Sequence, residues 1–172
     1  MAAVNSGAAD PFAALPPDAA ELAARWSEAA WNPAIDAELR AIYGVVATET
    51  ETLRPVCNAS GRCCRFEEYG HRLYVTGIEA AWCLRGSGMV PDAAAVRAAA
   101  MRGDCPFLDN GRCGVHAVRP LGCRIYFCDP RAAGWQEDLS ERTLARLRAL
   151  HDAHDVPYRY GEWRTMLAHF AS

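Results

Sequence analysis

The sequence predicts a mainly α protein with a small β element: a single domain whose helices pack around a Cys-rich loop core. Three observations carry this. Apolar residues recur at steps of three and four over much of the chain, the period of a helix with one buried face. One short run, Arg72–Thr76, has the composition of a strand. Seven of the eight cysteines fall in two bursts, Cys57–Cys64 and Cys105–Cys128, among turn-forming residues. At 172 residues and 51% apolar composition the chain can bury a core without disulfides.

Residues 1–17 are Ala-, Gly- and Pro-rich and aperiodic, which predicts a disordered tail ahead of one helical domain over 18–172. Asp18 and Glu21 have capping-box spacing and open a short helix that ends near Trp31. Asn32-Pro33 then combines an N-cap with proline at the first helical position. From there Ile35, Leu39, Ile42 and Val46 mark one helical face, and Leu53 extends it beyond an interruption at Glu49. Arg54-Pro55 stops the pattern, and the cysteine-cluster region, 55–130, begins.

Within that region, Thr76 and Glu79 make a second capping box after the strand, for a helix carrying Ile78 and Trp82 that breaks at Gly86-Ser87-Gly88. Pro91-Asp92 opens an Ala-rich helix to about Arg102. Residues 104–130 read as loop and turn, with Asp109-Asn110-Gly111 a tight turn between two very short strands. After Asp129-Pro130 a helix over roughly 136–154 places Leu144, Leu147, His151 and His154 on one face. A last helix follows Pro157 and presents Trp163, Met166 or Leu167, and Phe170.

The net charge of −3 and pI near 5.9 argue against nucleic acid and against a polybasic membrane surface as partners; they leave any protein partner unknown. All 18 basic residues are Arg, which together with the Ala content reads as coding bias. The N-terminus lacks a basic, then apolar, leader, and no apolar run is long enough to span a membrane. A cytoplasmic, reducing location is therefore expected. There, clustered cysteines serve as ligands more often than as disulfides.

The candidate metal ligands are Cys57, Cys63, Cys64, Cys105, Cys113, Cys123 and Cys128. Soft thiolates in this number suit zinc or iron, and Gly61, Pro106, Gly111, Pro120 and Gly122 beside them let the backbone wrap a small sphere. Only Cys123-x4-Cys128 has zinc-knuckle spacing, and it lacks a matching pair. Irregular spacing with more than four thiols favours an iron–sulfur cluster over zinc, with disulfides as the remaining reading. Arg62, Arg65, Arg112, Arg119 and Arg124 near the cysteines either lower thiol pKa values or form a solvated surface. His116 is a ligand, a donor to a ligand or a turn residue, Cys83 a buried apolar side chain, and His151 and His154 core-edge histidines ahead of a remote ligand role. No Gly-rich nucleotide fingerprint and no nucleophile–base pair can be named, so catalytic and cofactor-binding residues other than the thiols stay unassigned and enzyme activity stays open.

Cys57-x2-Ser60-Gly-x-Cys63-Cys64, followed by Cys105-Pro-Phe-Leu, Gly111-x-Cys113, Arg119-Pro-x-x-Cys123-Arg and Cys128, resembles the bacterial cysteine-cluster family described as a zinc- or iron-chelating domain. The resemblance covers about 55–130. The family pattern is Cys-x2-Cys-x2-Cys-Cys, and Ser60 stands at its second cysteine position. A related domain occurs in flagellin lysine N-methylases, so the resemblance also implies a methyltransferase-related enzyme. The functions expected are therefore, first, a metal-binding protein serving redox chemistry, metal handling or structural support. The others are a metal-dependent enzyme and a zinc-stabilised interaction module.

Overall fold

A computed structural model describes residues 9–57 and 60–171. The first eight residues of the expected tail lie outside that set. Residues 9–17 run in turns, with the Phe12 ring beneath the Arg97 guanidinium at 4.0 Å and Asp10 paired to the same arginine at 3.5 Å.

The fold is mainly α with a small antiparallel β element, as expected. Helix α1 (Ala19–Ala30) buries Leu22, Trp26 and Ala30 along α4 (Gly77–Ser87). Asp18 occupies its N-cap but makes no side-chain cap, so burial rather than a capping box holds this helix. The Trp26 indole N–H is satisfied by the Pro157 carbonyl at 2.7 Å. Helix α2 (Pro33–Leu53) starts as its sequence predicts, with the Asn32 side chain accepting from the Ala34 amide at 2.9 Å. Its buried face is Ile35, Leu39, Ile42, Tyr43 and Val46. Leu53 does not extend that face; it is 53% exposed. Past Val46 the helix runs beyond the core, and Glu49 turns instead to Arg142, which donates two hydrogen bonds at 3.0 Å.

Strand β1 (Tyr74–Thr76) leads directly into α4, where Thr76 and Glu79 form both halves of a capping box. Helix α3 (Phe66–Tyr69) precedes it, and α5 (Ala93–Arg102), capped by Asp92, follows. Strands β2 (Leu108–Asp109) and β3 (Arg112–Cys113) form the expected hairpin. Its turn residues Asn110 and Gly111 have φ of 47° and 77°, the left-handed pair such a turn requires. Helix α7 (Ala133–Ala153) buries Leu139, Thr143, Leu147, Leu150 and His151 and packs against α2; α8 (Trp163–Ala168) buries both Met166 and Leu167.

Two elements differ from the sequence expectation. Strand β4 (Tyr160–Glu162) pairs with β1, in the register Tyr74↔Glu162, Val75↔Gly161 and Thr76↔Tyr160. A three-residue strand containing glycine has no alternating signature, and only its distant partner makes it a strand. Helix α6 (Leu121–Ile125) lies within the stretch read as loop and turn, because Pro120 and Gly122 mask it. Among the described residues no helix is long and apolar enough to cross a membrane.

Candidate metal centre

The two cysteine bursts are far apart in sequence and adjacent in space. The Cys105 amide donates to the Cys64 carbonyl at 2.7 Å, and Arg65 bridges Asp104 as a single antiparallel pair. One turn earlier the backbones nearly touch. Gly61 has φ of 70°, and a side chain there would put Cβ 2.6 Å from the Gly111 carbonyl oxygen. Glycine is thus required on both counts, for its conformation and for the space.

This contact gathers four thiols. Cys63 and Cys64 sit on a single 3-10 turn, Arg62–Cys64, while Cys105 precedes β2 and Cys113 ends β3. The thiols of Cys63, Cys105 and Cys113 all stand beside that of Cys64 and act on its ionisation. Cys64 and Cys105 are buried, and Cys63 and Cys113 are half-buried. All are free thiols. The Trp163 indole donates to the Cys105 sulfur at 3.3 Å, anchoring that thiol to α8. No sequence pattern singles out Trp163 for this role, since it reads only as one apolar position of the last helix.

The proton distribution follows from the contacts. The neighbouring Cys105, Cys113 and Cys63 thiols, with burial, push the Cys64 pKa up. Cys63 is lowered to about 6 and Cys113 to about 7, in both cases chiefly by the Cys64 thiol, with the Arg119 cation contributing. Of the arginines near the cysteines, Arg119 is therefore the one that acts on these thiols. Arg62 instead lies over the Tyr69 ring and Arg124 over the Tyr43 ring.

The remaining candidates stand around this group. Cys123, on α6, is partly buried with its pKa pushed well up, first by burial and then by the charges of neighbouring thiols. Cys83 on α4 is fully buried, and burial raises its pKa too. Cys57 and Cys128 are exposed and line a cleft of about 310 Å³ whose wall also includes Ser60, Cys63 and Phe127. The two sides of the cleft are clasped by Asp129, whose carboxylate accepts from the Val56 amide at 3.2 Å and from Arg131 at 2.8 Å. His116 is exposed and paired with Arg119. His151 is buried against the Val156 carbonyl at 3.2 Å, and His154 meets Glu38 at 2.9 Å.

Two residues support the site in roles the sequence does not mark: Glu79, read there only as half of a capping box, and His71. Glu79 is fully buried. Besides capping α4, it accepts from the Leu121 amide at 2.8 Å and from the Tyr43 hydroxyl at 3.0 Å. It thereby fixes the start of α6, the helix that carries Cys123. His71 stacks on Tyr126 at 4.2 Å between centroids and sets its Nε2 3.3 Å from the Cys63 carbonyl.

The donor set fits a soft metal: three thiols gather about Cys64, and the pKa values of Cys63 and Cys113 are pulled down toward neutrality. Among the described residues no three His, Cys, Asp or Glu side chains stand ready-made around a point that could hold an ion.

The CxxCxxCC family model, described as a “Putative zinc- or iron-chelating domain”, matches residues 56–141, half of the chain. The chain belongs to the CxxCxxCC family. The matched span contains every one of the seven clustered cysteines, and within it α6 and the hairpin β2–β3 bring the second burst to the first. No curated protein and no solved structure matches the chain.

Proposed function

We propose that this protein holds a thiolate-bound zinc or iron centre on Cys63, Cys64, Cys105 and Cys113, with Cys123 as the adjacent further donor. One observation carries the reading. Two loops some forty residues apart are joined backbone to backbone at Cys64 and Cys105, which gathers four thiols about Cys64, and no packing purpose requires four cysteines there. Buried free thiols in a well-filled core add little to stability that alanine or valine would not supply. Convergence of four is the ligand number of structural zinc and of the common iron–sulfur clusters.

Within that reading an iron–sulfur cluster is favoured over zinc. The vicinal Cys63–Cys64 pair and the irregular spacers depart from paired zinc knuckles, and the site has thiols beyond four. A cluster would supply one-electron chemistry and zinc would supply structural cross-linking. The hydrogen bond from Trp163 to Cys105 would tune either centre by drawing charge from one sulfur.

The test is elemental and inorganic-sulfide analysis with an absorption spectrum, on protein produced and purified without oxygen. Iron and sulfide in matched amounts with charge-transfer absorption is the expected result, and zinc without colour would select the other metal. Protein that arrives metal-free and takes up neither metal would overturn the reading, as would a Cys64→Ser variant that retains its full metal content.

A further inference from the structure

The clustered cysteines divide into two groups by position. Cys64 and Cys105 are buried and Cys63 and Cys113 half-buried, in one contact network. Cys57 and Cys128 are exposed on the walls of the cleft. Cys63 belongs to both groups: it stands beside Cys64 and also forms part of the cleft surface. The Asp129 carboxylate would be a natural hard ligand here. It is already engaged by the Val56 amide and by Arg131, so its role is to hold the Cys57 side of the cleft against the Cys128 side.

We propose that Cys57 and Cys128 form an exchange port, a solvent-facing two-thiol site that takes up and releases a soft divalent metal ion and passes it through Cys63 to the inner thiols. This rests on the inner thiols being a metal centre, taken in its mononuclear form as a single divalent ion and not as a cluster, and assigns that centre a metal-handling role. Two thiolates leave a soft cation's remaining positions open to water or to a donor molecule, so an ion there is held weakly and exchanges. The inner thiols, largely shielded from solvent, hold it tightly and release it slowly. The step is ligand exchange without redox change: each thiol that binds gives its proton to water, and each that lets go takes one back. The Ser60 departure fits the same logic. Serine lines the cleft at the second cysteine position of the family pattern, so the port keeps two soft donors where a cysteine there would make three. A hydroxyl grips a soft ion far less strongly than a thiolate does.

The test uses Co²⁺ as the probe on reduced, metal-free full-length protein, read by its thiolate charge-transfer and d–d bands in stopped flow. Wild type should load in a fast phase followed by a slower one. The Cys57→Ser/Cys128→Ser double variant should lose the fast phase, yet reach the same final amplitude. Ser60→Cys should retain the fast phase and slow removal of cobalt by a chelator. In the Zn²⁺-loaded chain, iodoacetamide should label Cys57 and Cys128 well before the four inner thiols. If the double variant falls to the amplitude of Cys64→Ser, both outer cysteines are resident ligands; the port is overturned and the metal centre stands. Unchanged loading kinetics in the double variant overturn the port as well. A wild type that binds no cobalt overturns both readings.

Discussion

Glu79 has no exposed surface, yet it is a carboxylate. Burial raises its pKa, against the pull of the hydrogen bonds it accepts from Thr76, Leu121 and Tyr43. Its two oxygens serve three elements, α2, α4 and α6. Glu79→Ala would strand several buried donors at once and is expected to cost about 3 kcal/mol or more, measured as a shift in denaturant midpoint. A variant with wild-type stability would mean the carboxylate is not what ties α6 to α4. His151 gives the pH dependence at this scale. Burial lowers its pKa from the ordinary 6.5, so the unfolded chain binds a proton that the folded protein resists. The stability this represents is fully present above about pH 6.5 and is lost as pH falls through and below it. The melting temperature should drop in that window, and His151→Gln, which keeps a donor for the Val156 carbonyl, should flatten the drop. An unchanged acid limb would assign it to other groups.

At the scale of elements, the α2 stripe tests the core and the Gly61 turn tests the site. Ile42 is 3% exposed within the α2 stripe. Ile42→Asp puts an unpaired charge into the core and should cost about 3–5 kcal/mol in a thermal or chemical melt. A neutral result would mean the stripe is not core. Gly61→Ala tests the approach of the two cysteine loops. An alanine there must adopt a left-handed backbone and also displace the Gly111 carbonyl, for a cost of at least about 2 kcal/mol. It should lower metal content together with stability, because it parts the loops that carry Cys63–Cys64 and Cys113. Full metal content in a folded Gly61→Ala protein would show that the loops need not touch for the centre to form.

For the molecule as a whole, the proposed centre, bridging two loops, would tie folding to metal. Binding to the folded state alone stabilises by about 2.7 kcal/mol when free metal is a hundredfold above Kd, worth roughly 5–10 °C in a chain of this size. Reduced protein should therefore melt higher with Zn²⁺ than with a chelator, as read by calorimetry. Equal melting temperatures would show that the folded and unfolded chains bind the ion alike, as separate thiols would.

The sequence by itself determined the helical class, the start of α2 at Asn32-Pro33, the Thr76–Glu79 capping box, the β2–β3 turn and the presence of a soft donor set. Each of these is local: a cap, a period or a ligand chemistry is written in residues within a few positions of one another. The pairing of β4 with β1, the short α6, the end of the α2 stripe at Val46 and the support from Trp163, His71 and Glu79 were decided only in the tertiary structure. So was the division of the cysteines into an inner group around Cys64 and an outer pair at the cleft. The reason is physical. Which thiols meet depends on a backbone contact between Gly61 and Gly111 and on carboxylates reaching across tens of residues, and spacing along the chain holds no record of such distances.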